Sequence, residues 1–162
     1  MSFPAPDSLG PTLCVGEILV EIVATTPGCG FRAPQPLIGP YPSGAPAIFM
    51  SQCGRLGGAA ALVGCVGDDD FGQLNLDRLR QDGVETGAIG IDPDYPTGSA
   101  FVRYRPDGQR DFVFNLAKSA AARFGWTAGT EALCDRAGHL HVMGTALAMA
   151  SAWEVIDRAL PR

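Results

Sequence analysis

Acidic residues and a glycine follow apolar segments at three places in this chain, where they could contact a ligand. Glu21 lies near the end of the apolar run that begins at Leu13, and a carboxyl group at a strand end in an α/β sheet can accept hydrogen bonds from hydroxyl groups. Gly44 provides a turn at which a ligand can approach the backbone. The carboxylates from Asp68 to Asp70 suggest either a metal site or a helix cap. Capping explains them better, because three consecutive side chains cannot all converge on one ion.

Residues 43–72 predict the helices and the strand that hold these groups. Pro46 suits the first turn of a helix that Gly57 and Gly58 would end. Apolar residues at helical spacing predict the buried face of this helix, namely Ala45, Phe49, Cys53 and Leu56. The almost wholly apolar run 59–66 predicts a strand buried on both faces of a parallel sheet. A second helix, extending to about Gln81, completes a wound α/β layer.

The remaining patterns predict one further sheet region. Residues 13–24 predict the first central strand, whereas five prolines make residues 25–43 a loop or an edge strand. The turn Pro106-Asp107-Gly108 predicts a hairpin between strands at 99–105 and 110–114. The other predicted elements are a short strand at 87–92, a helix at 127–136, a buried strand at 139–143 and a helix at 151–160.

Four blocks of this sequence, in the same order, resemble the phosphofructokinase-B family of ribokinase-like carbohydrate kinases. They are Gly16 to Glu21, Ser43 to Gly72, Thr97 to Asn115 and His139 to Gly144. Among the members, kinases of ketoses and keto-sugar acids look most similar, such as tagatose kinase or 2-keto-3-deoxygluconate kinase. The resemblance implies an α/β fold of three layers, α/β/α, with a mainly parallel central sheet and a small β-strand lid. We expect that sheet to be incomplete in this chain.

The resemblance divides the chain into two parts. Residues 1–12 are expected to form a flexible tail, and residues 13–162 the N-terminal part of a ribokinase-like domain with lid segments at about 25–43 and 97–116. Kinases of this family carry their general base in a Gly-x-Gly-Asp turn within a C-terminal half that also binds ATP. The run Gly64 to Asp68 has a different spacing. We therefore expect this chain to hold no catalytic residue, no ATP-binding residue and no metal site.

The function implied by the resemblance is ATP-dependent transfer of a phosphoryl group to a hydroxyl of a ketose or a keto-sugar acid, with Mg²⁺. This chain would supply the sugar-binding and lid half and would be inactive alone. The alternative is a non-catalytic domain that binds a sugar or associates with a partner. The stop within a helix at 159–162 favours a truncated kinase, since a finished domain usually caps its last helix. An unfinished sheet would also expose an edge or the lid for homodimer formation.

Six residues are candidates for contact with the sugar. By resemblance, four of them match sugar-contacting positions of the family, namely Glu21, Ala100, Phe114 and Leu116, and Asn115 lies in the segment that reaches the sugar. Gly44 is the sixth, because a glycine lets sugar hydroxyls meet the backbone. Ile48 stands where many members have an Asn, so this contact is either different or weaker here. Asn115 could instead cap the turn that follows it. Glu17 lies within the predicted first strand, where a structural hydrogen bond or ion pair is expected.

Alternation along the first lid strand separates its side chains into two faces. Ala100 lies on one face, and Arg103 and Arg105 lie on the other. The two arginines are either solvated edge charges or ligands for a carboxylate-bearing sugar.

Composition limits the classes of partner. The 12 basic residues are scattered and the net charge is −5, which argues against a nucleic-acid surface. No apolar run reaches membrane-spanning length, so we expect a cytoplasmic protein. The five cysteines form no C-x-x-C pair and are interpreted as reduced core thiols.

Overall fold

Two β-sheets organise residues 9–160, the part of the chain that this computed structural model describes. The first sheet is parallel and has the order β5-β4-β1-β9, with β6 also pairing with β4. Its strands are β1 (Thr12–Val15), β4 (Ala60–Gly67), β5 (Val84–Glu85), β6 (Ile89–Asp92) and β9 (His139–His141). Most of the predicted tail, residues 1–8, and residues 161–162 lie outside the described part.

The second sheet has the order β3-β2-β7-β8 and contains the predicted hairpin. Its strands are β2 (Leu19–Ala24), β3 (Leu37–Ser43), β7 (Gly98–Tyr104) and β8 (Arg110–Asn115). Strand β2 pairs parallel with β7 and antiparallel with β3. We call this four-stranded sheet the lid sheet.

Helices cover both faces of the first sheet, as expected for a strand layer that is apolar on both sides. The helices are α1 (Ala45–Arg55), α2 (Asp70–Gln81), α3 (Ala128–Arg136) and α4 (Ala150–Ala159). Leu13, Val15 and Val63 pack in a cluster with α3 and α4. Cys14 and Leu62, which alternate with them, pack with α1 and α2. The three-layer α/β/α architecture is therefore confirmed. No helix within residues 9–160 is both long and apolar enough to cross a membrane.

The predicted first strand is wrong in one respect, because the chain divides it between the two sheets. Residues 12–15 lie in the central sheet, and residues 19–24 lie in the lid sheet. The break falls at Gly16, where a Cβ atom would lie 2.5 Å from a side-chain carbon of Pro46. The absence of a side chain thus lets the chain turn against the start of α1.

Three further predictions need correction. In α1 the buried residues are Pro46, Ala47 and Met50, whereas Phe49 and Leu56 of the predicted stripe are 36% and 79% exposed. The predicted strand at 139–143 ends at His141, and His139 is exposed. Among the five cysteines, all of which are free thiols, Cys29 is exposed and so is not a core thiol.

Asp69 joins the two sheets through hydrogen bonds. It caps α2 by accepting a bond from the Gly72 N–H at 2.8 Å, as the capping interpretation of the acidic run predicts. It also accepts bonds from the backbone N–H and the hydroxyl of Thr97 at 2.8 and 2.7 Å. The Thr97 hydroxyl oxygen in turn accepts from the Gly67 N–H at 2.9 Å. The end of β4, the start of α2 and the entry to β7 are therefore held together.

Replacement of Asp69 should destabilise the fold. We expect Asp69→Ala to lower the free energy of unfolding by about 2–4 kcal/mol, since it removes a cap and leaves the Thr97 N–H unpaired. Chemical denaturation measures this change. Asp70→Ala, at an exposed position in the same helical turn, is the matched control and should cost less than about 1 kcal/mol. Equal losses of unfolding free energy in the two variants would contradict the role of Asp69 in holding β4, α2 and β7 together.

The same carboxyl group should make stability depend on acidity. Burial alone would raise the pKa of Asp69, but hydrogen bonds from Thr97 and Gly72 outweigh it and lower the pKa. The Asp69 carboxylate therefore contributes its full stabilisation at pH values above its pKa in the unfolded chain, which is about 4. This contribution is lost as the pH falls through the lower pKa of the folded state. The stability difference between the wild type and Asp69→Asn should shrink between about pH 5 and pH 2 in denaturation curves. A difference that stays constant would exclude this linkage.

Candidate functional site

Strand pairing in the lid sheet places three predicted site residues in one row. Glu21 of β2 lies opposite Ala100 of β7, and Ala100 lies opposite Phe114 of β8. Residues directly opposite each other in a sheet point to the same face. Ala100 is fully buried, Glu21 is half-buried and the Phe114 side chain is 54% exposed. The row therefore presents a carboxyl group and an aromatic ring on either side of a small residue.

A cavity of about 500 Å³ lies between the lid sheet and the segment that leads into α4. Of the row, Phe114 lines this cavity, whereas Glu21 and Ala100 are not among its lining residues. Leu19, Phe114 and Leu116 line it from the lid sheet and the chain that follows β8. Met149 and Ser151 line it from the opposite side. We call this the inner cavity. Its volume and its apolar walls with few polar groups are typical of small-molecule sites.

Glu17 lines the inner cavity and also holds the start of α1. It lies between β1 and β2, is only 4% exposed, and accepts a hydrogen bond at its Oε1 from the Ala45 N–H at 3.3 Å. The predicted structural hydrogen bond is thus confirmed, although the residue is not inside a strand. Within residues 9–160, its Oε2 atom is buried without a hydrogen-bond partner.

Gly44 stands where the chain enters α1, directly against Glu17. Its φ of 105° lies in the region that residues with side chains rarely adopt. A Cβ atom would collide with the carbonyl oxygen of Glu17. Gly44 has no side chain with which to cap α1, so the Glu17 carboxyl supplies the acceptor at this helix end.

Ile48 lies outside the inner cavity. Its side chain is 53% exposed and borders a different cavity, of about 150 Å³, together with Ser51, Asn75 and Arg78. Within the described residues, Ile48 is therefore not brought together with Glu17, Phe114 and Leu116.

Asn115 points away from the row that contains Phe114. Its Nδ2 atom donates to the Ser99 hydroxyl of the neighbouring strand at 3.3 Å. The following turn is capped instead by Ser119, which accepts from the Ala121 N–H at 3.3 Å. Asn115 lines a second cavity of about 840 Å³ with Lys118 and Asp69, which we call the outer cavity. Phe114 and Leu116 border both cavities.

The inner cavity is the stronger candidate for a binding site, although the outer one is larger. In the outer cavity, the Asp69 carboxyl is already occupied by its bonds to Thr97 and Gly72. The inner cavity is lined by Glu17, whose second carboxyl oxygen is buried and has no partner among the described residues. A buried polar group of this kind is costly unless a ligand or another group pairs with it.

The two lid arginines pair with a carboxylate of their own hairpin. Arg103 lies opposite Asp111 on the face away from Ala100, as alternation predicts, and contacts it at 2.8 Å. Arg105 donates from Nε to the same carboxylate at 2.9 Å. This hydrogen bond is the main cause of the lowered pKa of Asp111. A further role of either arginine in binding a carboxylate-bearing sugar stays a prediction.

Two polar residues of the inner cavity were not predicted to bind a ligand. Glu17 is predicted to have only a structural role, and its position directly after Gly16, which follows β1, is the available signal. Ser151 shows no signal in the sequence, because only the packing of α4 brings it to the lid sheet. Within residues 9–160, no group of three or more His, Cys, Asp or Glu residues could hold a metal ion.

Comparison with known proteins gives one family and related structures. The chain matches the family described as pfkB family carbohydrate kinase over residues 12–160. Fructokinase-1 of Oryza sativa subsp. japonica is 42% identical over 105 residues, which are 65% of this chain and 32% of that protein. The chain spans about a third of the length of the curated fructokinases that it matches. The suggested similarity to kinases of tagatose or 2-keto-3-deoxygluconate stays a prediction.

Two crystal structures of an E. coli protein described as ribokinase II share this fold. The apo form is 40% identical and has a TM-score of 0.88, and the match covers 93% of this chain and 49% of the apo-form chain. The form in complex with ATP and Mg²⁺ is 38% identical and has a TM-score of 0.84, and the match covers 94% of this chain and 48% of the chain in that complex. The described chain therefore corresponds to about half of a ribokinase-like structure.

The turn at Gly44 should not tolerate a side chain. We expect Gly44→Ala to lower the free energy of unfolding by about 1–3 kcal/mol, because its φ is positive and the Glu17 carbonyl blocks the new carbon. Gly125→Ala is the control, since nothing lies within 4 Å of a Cβ atom there. Thermal and chemical denaturation compare the two variants. A Gly44→Ala protein as stable as the control would show that this turn is not constrained.

Proposed function

Because the chain belongs to the pfkB family of carbohydrate kinases, we propose that it carries the acceptor-binding and lid half of an ATP-dependent sugar kinase. The phosphoryl acceptor is a hydroxyl of a ketose or a keto-sugar acid. D-Fructose is the first candidate, since the relatives that match at 42% identity are named fructokinases. The observation that carries the proposal is the row of Glu21, Ala100 and Phe114 in the lid sheet, which reaches the inner cavity through Phe114.

Each residue of the row has a distinct task in acceptor binding. The Glu21 carboxyl accepts hydrogen bonds from sugar hydroxyls, and a charged acceptor forms stronger bonds than a neutral one. The Phe114 ring and Leu19 supply apolar surface against the carbon skeleton. Ala100 leaves room between them. The lid sheet then orients the acceptor and keeps water from the reacting hydroxyl.

We further propose that this chain does not supply the other half of the reaction. Two observations support this: the sequence contains no Gly-x-Gly-Asp turn, and no group of three or more His, Cys, Asp or Glu residues within residues 9–160 could hold a metal ion. When bound, ATP with Mg²⁺ supplies the phosphoryl group in this family. We assign the general base and the nucleotide contacts to residues outside this chain, and no step of the transfer to residues within it.

The second candidate function is a non-catalytic domain that binds a sugar or associates with a second copy through the lid or the sheet edge. The missing Gly-x-Gly-Asp turn favours it. The DNA that follows the coding sequence separates the two candidates. A reading frame that encodes this turn favours the kinase, and its absence favours the non-catalytic domain. Homodimer formation and a cytoplasmic location stay predictions.

Acceptor binding without ATP turnover is the expected behaviour of the purified chain. Calorimetry should detect binding of D-fructose, D-tagatose or 2-keto-3-deoxygluconate, and a coupled assay should detect no sugar-dependent consumption of ATP. Glu21→Gln should weaken sugar binding about 10- to 100-fold, because it removes a charged acceptor. Asp157→Asn, at an exposed position on α4, should bind like the wild type. ATP turnover by this chain, or no binding of any sugar, would overturn the proposal.

A further inference from the structure

Glu17 is more than a helix cap, because only one of its carboxyl oxygens is used. Oε1 accepts the Ala45 N–H at the start of α1. Oε2 is buried and has no hydrogen-bond partner within residues 9–160, while the residue as a whole is only 4% exposed. Since an unpaired buried carboxyl oxygen loses its hydration without compensation, the second oxygen requires a hydrogen-bond donor.

A second polar atom with the same property lies in the same cavity. The Ser151 hydroxyl is buried, has no partner among the described residues, and lines the inner cavity from α4. Ser151 and Glu17 come from opposite ends of the chain. Two independent elements therefore each place a residue with an unpartnered, buried polar atom in the wall of one cavity.

The chemistry of the inner cavity selects the kind of ligand. Its other walls include the apolar side chains of Leu19, Phe114 and Met149. A metal ion does not fit, since no three potential metal-binding side chains meet anywhere in residues 9–160. A polyol fits, because its carbon skeleton can contact the apolar walls while its hydroxyls bond to a few polar groups.

We propose that Glu17 and Ser151 form a polar subsite of the inner cavity that binds hydroxyl groups of the acceptor sugar. Glu17 Oε2 accepts a hydrogen bond from one sugar hydroxyl, and the Ser151 hydroxyl bonds to a second. This subsite rests on the proposed function but is separate from the Glu21 row. Because the other oxygen of Glu17 holds the start of α1, the subsite fixes the sugar relative to the Gly44 turn.

Ligands that lack single hydroxyls test the subsite directly. Calorimetry or saturation-transfer NMR would compare D-fructose with its monodeoxy analogues for the wild type, Glu17→Gln and Glu154→Gln. Gln can still accept the Ala45 N–H through its amide oxygen, so the cap is retained. Glu154, an exposed residue of α4, is the matched control.

The expected result is a coupling between one hydroxyl and one side chain. Glu17→Gln should weaken D-fructose binding about tenfold, with an unchanged melting temperature. To the wild type and the control, one deoxy analogue should bind about tenfold more weakly than D-fructose does. To Glu17→Gln, the same analogue should bind no more weakly than D-fructose does. A merely structural role would weaken all ligands equally and would show no such coupling.

Three other outcomes are decisive against the subsite. If the wild type binds D-fructose and Glu17→Gln binds it equally well, the subsite is wrong and the proposed function stands. If the wild type binds no sugar, both fail together. If Glu17→Gln does not fold, the same comparison is made with Ser151→Ala, and equal binding by that variant overturns the subsite.

Discussion

The hydrogen bonds that Asp69 accepts from Thr97 and Gly72 are the constraint on which the rest of the structure depends. They connect the start of α2, which follows the buried strand β4, to the residue that precedes β7. Gly67 completes the junction through the Thr97 hydroxyl. Because β7 begins one residue after this junction, the position of the lid sheet relative to the central sheet is set there.

The alignment of the candidate site follows from the register of β7. Pairing of Ala100 with both Glu21 and Phe114 requires β7 to start at one defined residue. A slip by one residue would turn every side chain of the strand to the opposite face. Arg103 and Asp111 lie opposite each other on the face of the lid sheet away from Ala100, and their ion pair favours the same register within the hairpin. The fixed entry to β7 and the hairpin contacts therefore act together.

Glu17 and Gly44 form a second junction, between the end of β1 and the start of α1. The glycine permits a backbone conformation and an approach that a side chain would prevent, and the carboxyl group replaces the cap that glycine cannot provide. One junction thus serves the helix and one wall of the inner cavity at once. The family relationship covers both junctions, since the match extends over residues 12–160.

Local patterns in the sequence determined the element types, the Asp69 cap, the hairpin and the family. Each depends on residues close together in the chain, such as the turn residues 106–108 or the acidic run before α2. Tertiary packing alone decided which face of α1 is buried, because apolar residues occur on several sides of that helix. Ala47 and Met50 join the central core, with Cys53 partly buried against it. It likewise divided the predicted first strand between two sheets and brought Ser151 to the cavity that Glu17 lines. These outcomes depend on contacts between residues far apart in sequence, which periodicity along one segment does not record.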